Sequence, residues 1–272
     1  MAIDLASGIN MPTEKWIDLN GRLAFESPGL AVHVAPFPPQ ELMYIVSGLT
    51  SERDFAAHGI AIYEALQKAS PKPLSEFSDL FDFGCGCGRL ARMFKGFKGN
   101  MIGCDIDARH VEWINKNFSH MKAVLSYPNA ALPFGDESFD GVISISVFSH
   151  MDERAQRFYL SELNRICRPG AYLFLTTHGA RALERANAET RIFEMLSIDR
   201  EALKTATRKI RDGGFHCIVQ DEGHLTSDDY QYGITFIASD YVRRVWGEYF
   251  EVVGITDGAI HDFQKIITCK KR

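Results

Sequence analysis

No stretch of the 272 residues holds the roughly 20 consecutive apolar side chains that a bilayer-spanning helix requires. The start, Met1-Ala2-Ile3-Asp4-Leu5, lacks the basic segment and apolar core of a secretory leader. A cytoplasmic protein with no membrane partner is the expectation. Positive charge is also short, with 30 Lys and Arg against 35 Asp and Glu and a net charge of −5. That balance leaves no electrostatic footprint for a phosphate backbone, so no nucleic-acid partner is expected. Arg243-Arg244 and Lys270-Lys271-Arg272 read as solvated groups rather than a phosphate track.

Metal-ligand spacing is missing too. Of the six cysteines, Cys85 and Cys87 are one residue apart, and Cys104, Cys167, Cys217 and Cys269 are scattered through apolar stretches. Zinc sites pair Cys-x-x-Cys with a second distant pair, so no metal is expected and the thiols read as free. The chain shows neither internal repeats nor low-complexity segments. With 46% apolar and 24% charged residues, its length suits one α/β domain that buries a core without staples.

What is present is an alternation of strand and helix signals. Residues 1–50 read as irregular, punctuated by Pro28, Pro36, Pro38 and Pro39. Phe55, Ile62, Ala65 and Leu66 space an amphipathic helix over Arg53–Ala69, which Pro71 and Pro73 end. Leu80–Phe83 is a short strand, Arg89–Phe94 reads as helical, and Asn100–Cys104 is a second strand. Asp107 can cap a helix to Phe118, with Lys122–Leu125 as the third strand. Phe139–Ile145 has the apolar run of a strand covered on both faces. Asp152 can cap a helix to about Cys167, and Ala171–Thr177 is a fifth strand. Repeated βα units imply a doubly wound, mostly parallel sheet. Beyond it, residues 181–212 read as mostly helical, and 213–235 as an irregular stretch holding His224 and Tyr232. Glu251–Thr256 and Lys265–Cys269 read as two closing strands.

The most informative segment is Leu80-Phe81-Asp82-Phe83-Gly84-Cys85-Gly86-Cys87-Gly88-Arg89. A strand runs into alternating glycines, which permit positive φ and close backbone approach to a ligand. Asp105 closes the second strand about 20 residues on, where a carboxylate can accept from ribose hydroxyls. Arg89 stands where a dinucleotide fingerprint needs its third glycine.

Asp82–Arg89 resembles motif I of class I S-adenosylmethionine (SAM)-dependent methyltransferases, of the bacterial small-molecule type. Ile102–Ile106 resembles the ribose-binding motif. Leu132-Pro133-Phe134-Gly135-Asp136-Glu137-Ser138-Phe139-Asp140 resembles the approach to the fourth strand. Arg165–Thr177, with Arg168-Pro169-Gly170, resembles the turn into the fifth. Ala171 departs where a second glycine is usual, and Asn129 where Asp is common.

The resemblance implies an α/β fold with a seven-stranded, mostly parallel sheet, a C-terminal antiparallel strand, a helical N-terminal cap and an insertion before the last two strands. It divides 1–272 into a cap or lid (1–74), a SAM-binding core (75–180), a helical and irregular acceptor-side segment (181–248) and closing strands (249–272). Gly84, Gly86 and Gly88 would line the methionine and ribose part of SAM, and Asp82 would hold its amino group. Asp105 would bind the ribose and Ile106 pack on adenine, with Asn129 and Ala130 at the adenine edge. Ser146 and Val147 would face the cofactor. Arg53, Phe55 and Gly59 are candidates for the lid.

Transfer to oxygen or nitrogen needs a base. His150 lies just past the fourth strand and His178 ends the fifth, both at the ligand-binding edge of such sheets. The expected activity is O-methylation of a small-molecule acceptor, such as a sugar or secondary metabolite, leaving S-adenosylhomocysteine. N- or S-methylation, an NAD-dependent oxidoreductase and a non-catalytic SAM-binding protein are the alternatives.

Overall fold

The computed structural model describes residues 5–220 and 232–272, which fall into two compact units, Met1–Ser126 and Tyr127–Arg272. His224 lies outside the described residues.

Residues 5–50 are largely helical rather than irregular. Short helices α1 (Thr13–Asp18), α2 (Ala24–Glu26) and α3 (Pro28–Ala31) precede α4 (Gln40–Ser47) and the long α5 (Glu52–Ala69). The prolines punctuate these helices instead of breaking them: Pro12 and Pro39 stand at N-caps and Pro28 opens α3. A proline costs a helix nothing there, because the first-turn N–H groups lack intrahelical partners anyway.

Buried polar groups staple this cap down. The Trp16 indole N–H donates to the Met93 carbonyl at 2.8 Å. Arg92, itself buried, donates to the carbonyls of Ala35 and Pro36, with its guanidinium 3.5 Å from the centre of the Phe37 ring. Lys95 reaches the carbonyls of Val32 and Val34 at 2.9 and 3.0 Å.

Strands β1 (Asp79–Phe83), β2 (Asn100–Asp105) and β3 (Lys122–Leu125) run parallel, β1 against β2 and β2 against β3, with α6 (Ala108–Asn117) crossing between the last two. The Asp107 carboxylate caps α6 through the Arg109 N–H, as its sequence position predicts. Between β1 and β2 no regular α-helix forms. Only a 3₁₀ turn, Ala91–Phe94, follows the glycines.

In the second unit, β4 (Phe139–Ser144), α7 (Glu153–Ile166) and β5 (Cys167–His178) form a parallel crossover unit, with Asp152 capping α7. Helices α8 (Ala180–Ala188), α9 (Thr190–Met195) and α10 (Arg200–Arg211) then lead to β6 (Phe215–Val219), β7 (Gly233–Ile237) and α11 (Ser239–Val245). The pair β6 and β7 departs from the irregular stretch expected over 213–235. They run antiparallel, and β7 meets the end of β5 in parallel at His178 and Phe236. Strands β8 (Glu251–Ile260) and β9 (Gln264–Lys270) close the unit as the expected antiparallel pair, with β9 antiparallel to β5. The class is therefore α/β, mostly parallel with an antiparallel C-terminal pair, and the described residues carry nine strands where seven were expected.

Gly59 of α5 abuts the chain just past the glycine loop: a Cβ there would lie 2.6 Å from the Arg89 carbonyl oxygen. Backbone cannot yield as a side chain can. Gly59→Ala should destabilise the protein by about 1–3 kcal/mol, read as a lower urea midpoint at unchanged slope; an unchanged midpoint would show the contact to be slack.

Candidate active site

The loop after β1 folds on its own hydrogen bonds. The N–H groups of Gly84 and Cys85 both donate to the Cys104 carbonyl, at 2.9 and 3.0 Å, and that of Gly88 donates to Cys85 at 3.1 Å. The Gly86 N–H donates to the Asp105 carboxylate at 2.8 Å. Three of these four donors are spent on the end of β2 and the fourth within the loop. A pyrophosphate needs such donors turned outward, so this loop suits a nucleoside without phosphates better than a dinucleotide.

Gly86 and Gly88 have φ of 53° and 88°. Neither has room for a side chain: a Cβ on Gly86 would sit 2.9 Å from Val46, and one on Gly88 2.5 Å from the Phe118 ring. Cys85, Cys87 and Cys104 fill the space behind. Burial pushes Cys87 and Cys104 up to about 12, which leaves these thiols neutral packing rather than nucleophiles.

Two carboxylates flank the loop. Asp105 is oriented by the Gly86 N–H, by its own turn through the Asp107 N–H at 2.9 Å, and by His110 Nδ1 at 3.3 Å. A carboxylate offers about four lone-pair positions, so it keeps capacity for ribose hydroxyls. Ile106 follows it, half-buried. Asp82 is buried, and desolvation pushes its carboxyl up to about 7, with the neighbouring Asp105 adding to the rise and Arg89 opposing it. A buried carboxylate of this kind calls for a positive partner.

Arg89 is buried as well, 3.0 Å from His58 Nδ1 through Nη1, and burial lowers it to about 10. Its carbonyl lies against Gly59, so the close backbone approach that a third loop glycine would allow is made from α5 instead.

Of the lid candidates, Phe55 and Gly59 pack against the glycine loop and its end, at Cys87 and the Arg89 carbonyl. Phe55 is fully buried in a core cluster with Leu42, Met43 and Cys87, and Arg53 lies over the Phe25 ring. The side chain over the loop is Val46 of α4, with Trp113 of α6 packed on the same cluster. Pro39 before α4 and Gly48 after it are the start and stop signals by which α4 could have been found.

In the second unit, Asn129 and Ala130 occupy a turn closed by the Ala130 N–H to the Tyr127 carbonyl at 3.2 Å. Asn129 has φ 55°, a conformation Asn tolerates well. Ser146 and Val147 follow β4, and Ser146 is held at φ 63° by its N–H to Thr176 Oγ1 at 2.7 Å and by the Gln264 amide to its Oγ at 2.9 Å. A non-glycine residue kept there stores strain of the kind concentrated at binding sites.

His150 ends a 3₁₀ turn, Phe148–His150. Thr235 Oγ1 fixes that turn through the Met151 carbonyl at 2.7 Å, and the Gln156 amide through the Phe148 carbonyl at 2.7 Å. His150 Nδ1 lies 2.9 Å from the Gly233 carbonyl oxygen. A carbonyl only accepts, so Nδ1 is the donor, and in the neutral form of the ring the lone pair is on Nε2.

His178 stands edge-to-face with His150, ring centres 6.2 Å apart, and packs on Phe236 and Phe263. Burial drives its pKa down to about 3, with His150 adding to the fall, so it is neutral at any working pH. Beneath it, the buried Lys265 ammonium donates to the Ile237 carbonyl and Ser239 Oγ and pairs with Asp257 at 3.3 Å. Among the described residues, no group of three His, Cys, Asp or Glu side chains could hold a metal.

Residues 81–175 match the family model described as "Methyltransferase domain". The chain is similar over 115 residues to "Probable tRNA methyltransferase 9B" of Homo sapiens, at 31% identity, covering 42% of this chain and 23% of that protein. It is also similar to "O-methyltransferase cnsE" of Penicillium expansum, at 28% identity over 102 residues, 35% of this chain and 36% of that one. The chain thus spans about a quarter to a third of the length of these relatives.

Among solved structures, an S-adenosylmethionine-dependent methyltransferase from Mesorhizobium loti superposes with a TM-score of 0.52 at 10% identity, over 78% of this chain and 98% of that one. The 1,6-didemethyltoxoflavin-N1-methyltransferase of Burkholderia thailandensis, bound to S-adenosylhomocysteine, gives 0.52 at 15% identity, over 87% and 92%. The fold is that of the SAM-dependent methyltransferases, and residues 81–175 carry a methyltransferase domain.

The first unit's residues fit that cofactor. Asp82 would place negative charge toward its cationic end, and Asp105 is aimed by three groups while keeping one of its roughly four lone-pair positions for a ribose hydroxyl.

The raised Asp82 carboxyl gives the site a pH dependence. Below about 7 it is protonated and offers a cationic ammonium nothing; above 7 it is ionised. Affinity for S-adenosylhomocysteine should therefore fall as pH drops from 8 to 5.5, by up to about tenfold per unit below the pKa. For the unliganded protein the sign is opposite: this carboxyl takes up protons on folding between its ordinary value and 7, so its contribution to stability declines as pH rises through that window. Calorimetry across pH should give a flat affinity profile for Asp82→Asn; equal slopes in both proteins would place the titrating group elsewhere.

Proposed function

We propose that this chain is an enzyme that methylates a small-molecule acceptor on oxygen, of the sugar or secondary-metabolite kind. Bound SAM supplies a methyl group already activated on a sulfonium, so placement of the partners provides much of the acceleration. The protein holds both partners and takes one proton from the acceptor. Asp82 balances the cofactor's positive end, Gly84, Gly86 and Gly88 admit it against the backbone, and Asp105 takes its ribose. Ile106, Asn129, Ala130, Ser146 and Val147 complete the cofactor's contacts.

His150 is the general base, and the observation that carries this reading is its Nδ1 hydrogen bond to the Gly233 carbonyl at 2.9 Å. That bond leaves Nε2 able to accept the acceptor's proton and holds the imidazolium that results. His178, considered alongside it as a catalytic residue, is too buried to accept a proton and serves as a wall. The net charge of −5 and the likeness to a fungal O-methyltransferase support a small acceptor. The likeness to a tRNA methyltransferase supports the second reading, a nucleic-acid acceptor.

Incubation with methyl-tritiated SAM and two acceptor pools, a deproteinised metabolite extract and total tRNA, separates these readings. Label should enter small molecules, and His150→Gln should lower that rate by about 10²–10⁴-fold with S-adenosylhomocysteine binding unchanged. Label precipitating with tRNA would overturn the small-molecule reading, and full activity in His150→Gln would remove the base.

A further inference from the structure

We infer that Tyr232 is a positioning residue that, with the Gly233 carbonyl, fixes the ring plane and tautomer of His150, and this rests on His150 being the base. The Tyr232 and His150 rings lie nearly parallel, 11° apart with centres separated by 4.6 Å. The next residue along the chain provides the carbonyl that accepts from His150 Nδ1. One dipeptide thus supplies two constraints of different kinds. The hydrogen bond sets rotation within the imidazole plane, and the stacked ring sets the plane itself.

The dipeptide is rigid. The Tyr232 carbonyl accepts from the Gln220 N–H at 3.0 Å, and Gly233 pairs with Val219 across β6 and β7. Gly233 also lies against β6 so closely that a Cβ would meet the Ile218 carbonyl at 2.6 Å. Neither the carbonyl nor the start of the Tyr232 side chain can drift, so His150 is aimed by β7 rather than by its own short turn.

The His178 ring stands nearly perpendicular to His150, at 89°, and closes a third side. The Tyr232 phenol contributes no charge to this arrangement, because burial pushes it up to about 12. Toward His150 its role is therefore that of a flat aromatic surface. Phenylalanine should substitute for it; an aliphatic side chain of similar bulk should not.

The test reads the His150 ring in the protein without acceptor, by ¹H–¹⁵N correlation of imidazole-labelled protein, with S-adenosylhomocysteine binding as the check on folding. Wild type and Tyr232→Phe should show His150 protonated on Nδ1 with Nε2 unprotonated. Tyr232→Leu and the smaller Tyr232→Ser should shift both nitrogens toward the averaged values of exchanging tautomers while binding S-adenosylhomocysteine normally. An unchanged Nδ1–H signature in either folded aliphatic or serine variant would overturn the proposal, as would loss of the signature in Tyr232→Phe. Because the readout needs no turnover, its failure is distinct from a failure of the methyl-transfer assay.

Discussion

The first unit depends on one hydrogen bond, the 2.8 Å contact from the Gly86 N–H to the Asp105 carboxylate. It ties the loop after β1 to the end of β2, and it forms only if the loop turns through positive φ without side chains. Other features follow from that closeness. Val46 and Phe118 occupy the space that side chains on Gly86 and Gly88 would need. The loop's N–H groups turn inward, and the charge left to meet a ligand comes from Asp82 and Asp105. Arg92 and Lys95 then hold the N-terminal helices down by donating to backbone carbonyls, so the roof over the glycines is anchored by one buried and one half-buried cation.

The second unit solves a complementary problem. Its polar edge is kept neutral: the Lys265 ammonium is consumed by a carbonyl, a hydroxyl and Asp257, and His178 is too buried to gain a proton. His150 is aimed from β7, whose Gly233 carbonyl lies 2.9 Å from its Nδ1. One unit thus offers negative charge suited to a cationic methyl donor. The other offers a histidine whose Nδ1 is fixed by a backbone carbonyl.

The legible parts of this arrangement were those written locally. The Asp107 and Asp152 caps, the proline stop after α5, the alternating glycines and the closing β8 and β9 pair each depend on residues within a few positions of one another, and the structure has them as read. Features set by distant contacts were not legible. Helix α4 was obscured by prolines that sit at helix starts, and with it Val46. The β6 and β7 pair was lost in a stretch rich in Gly, Asp and His, because its register is set by pairing with each other and with β5. Arg89 gave no sign of burial, since nothing near it in sequence reveals Gly59 of α5. His178 lies at the expected strand end, but its neutrality comes from Phe236, Phe263 and His150 around it. Tyr232 joins His150 across 82 positions and only through β7.

The central claim, that the Asp105-tied glycine loop is a SAM site, is tested most directly by calorimetry on the purified protein. SAM and S-adenosylhomocysteine should bind in the micromolar range and NADH should not, and Asp105→Ala should lose the binding while remaining folded. Binding of NADH, or SAM affinity unchanged in Asp105→Ala, would contradict it.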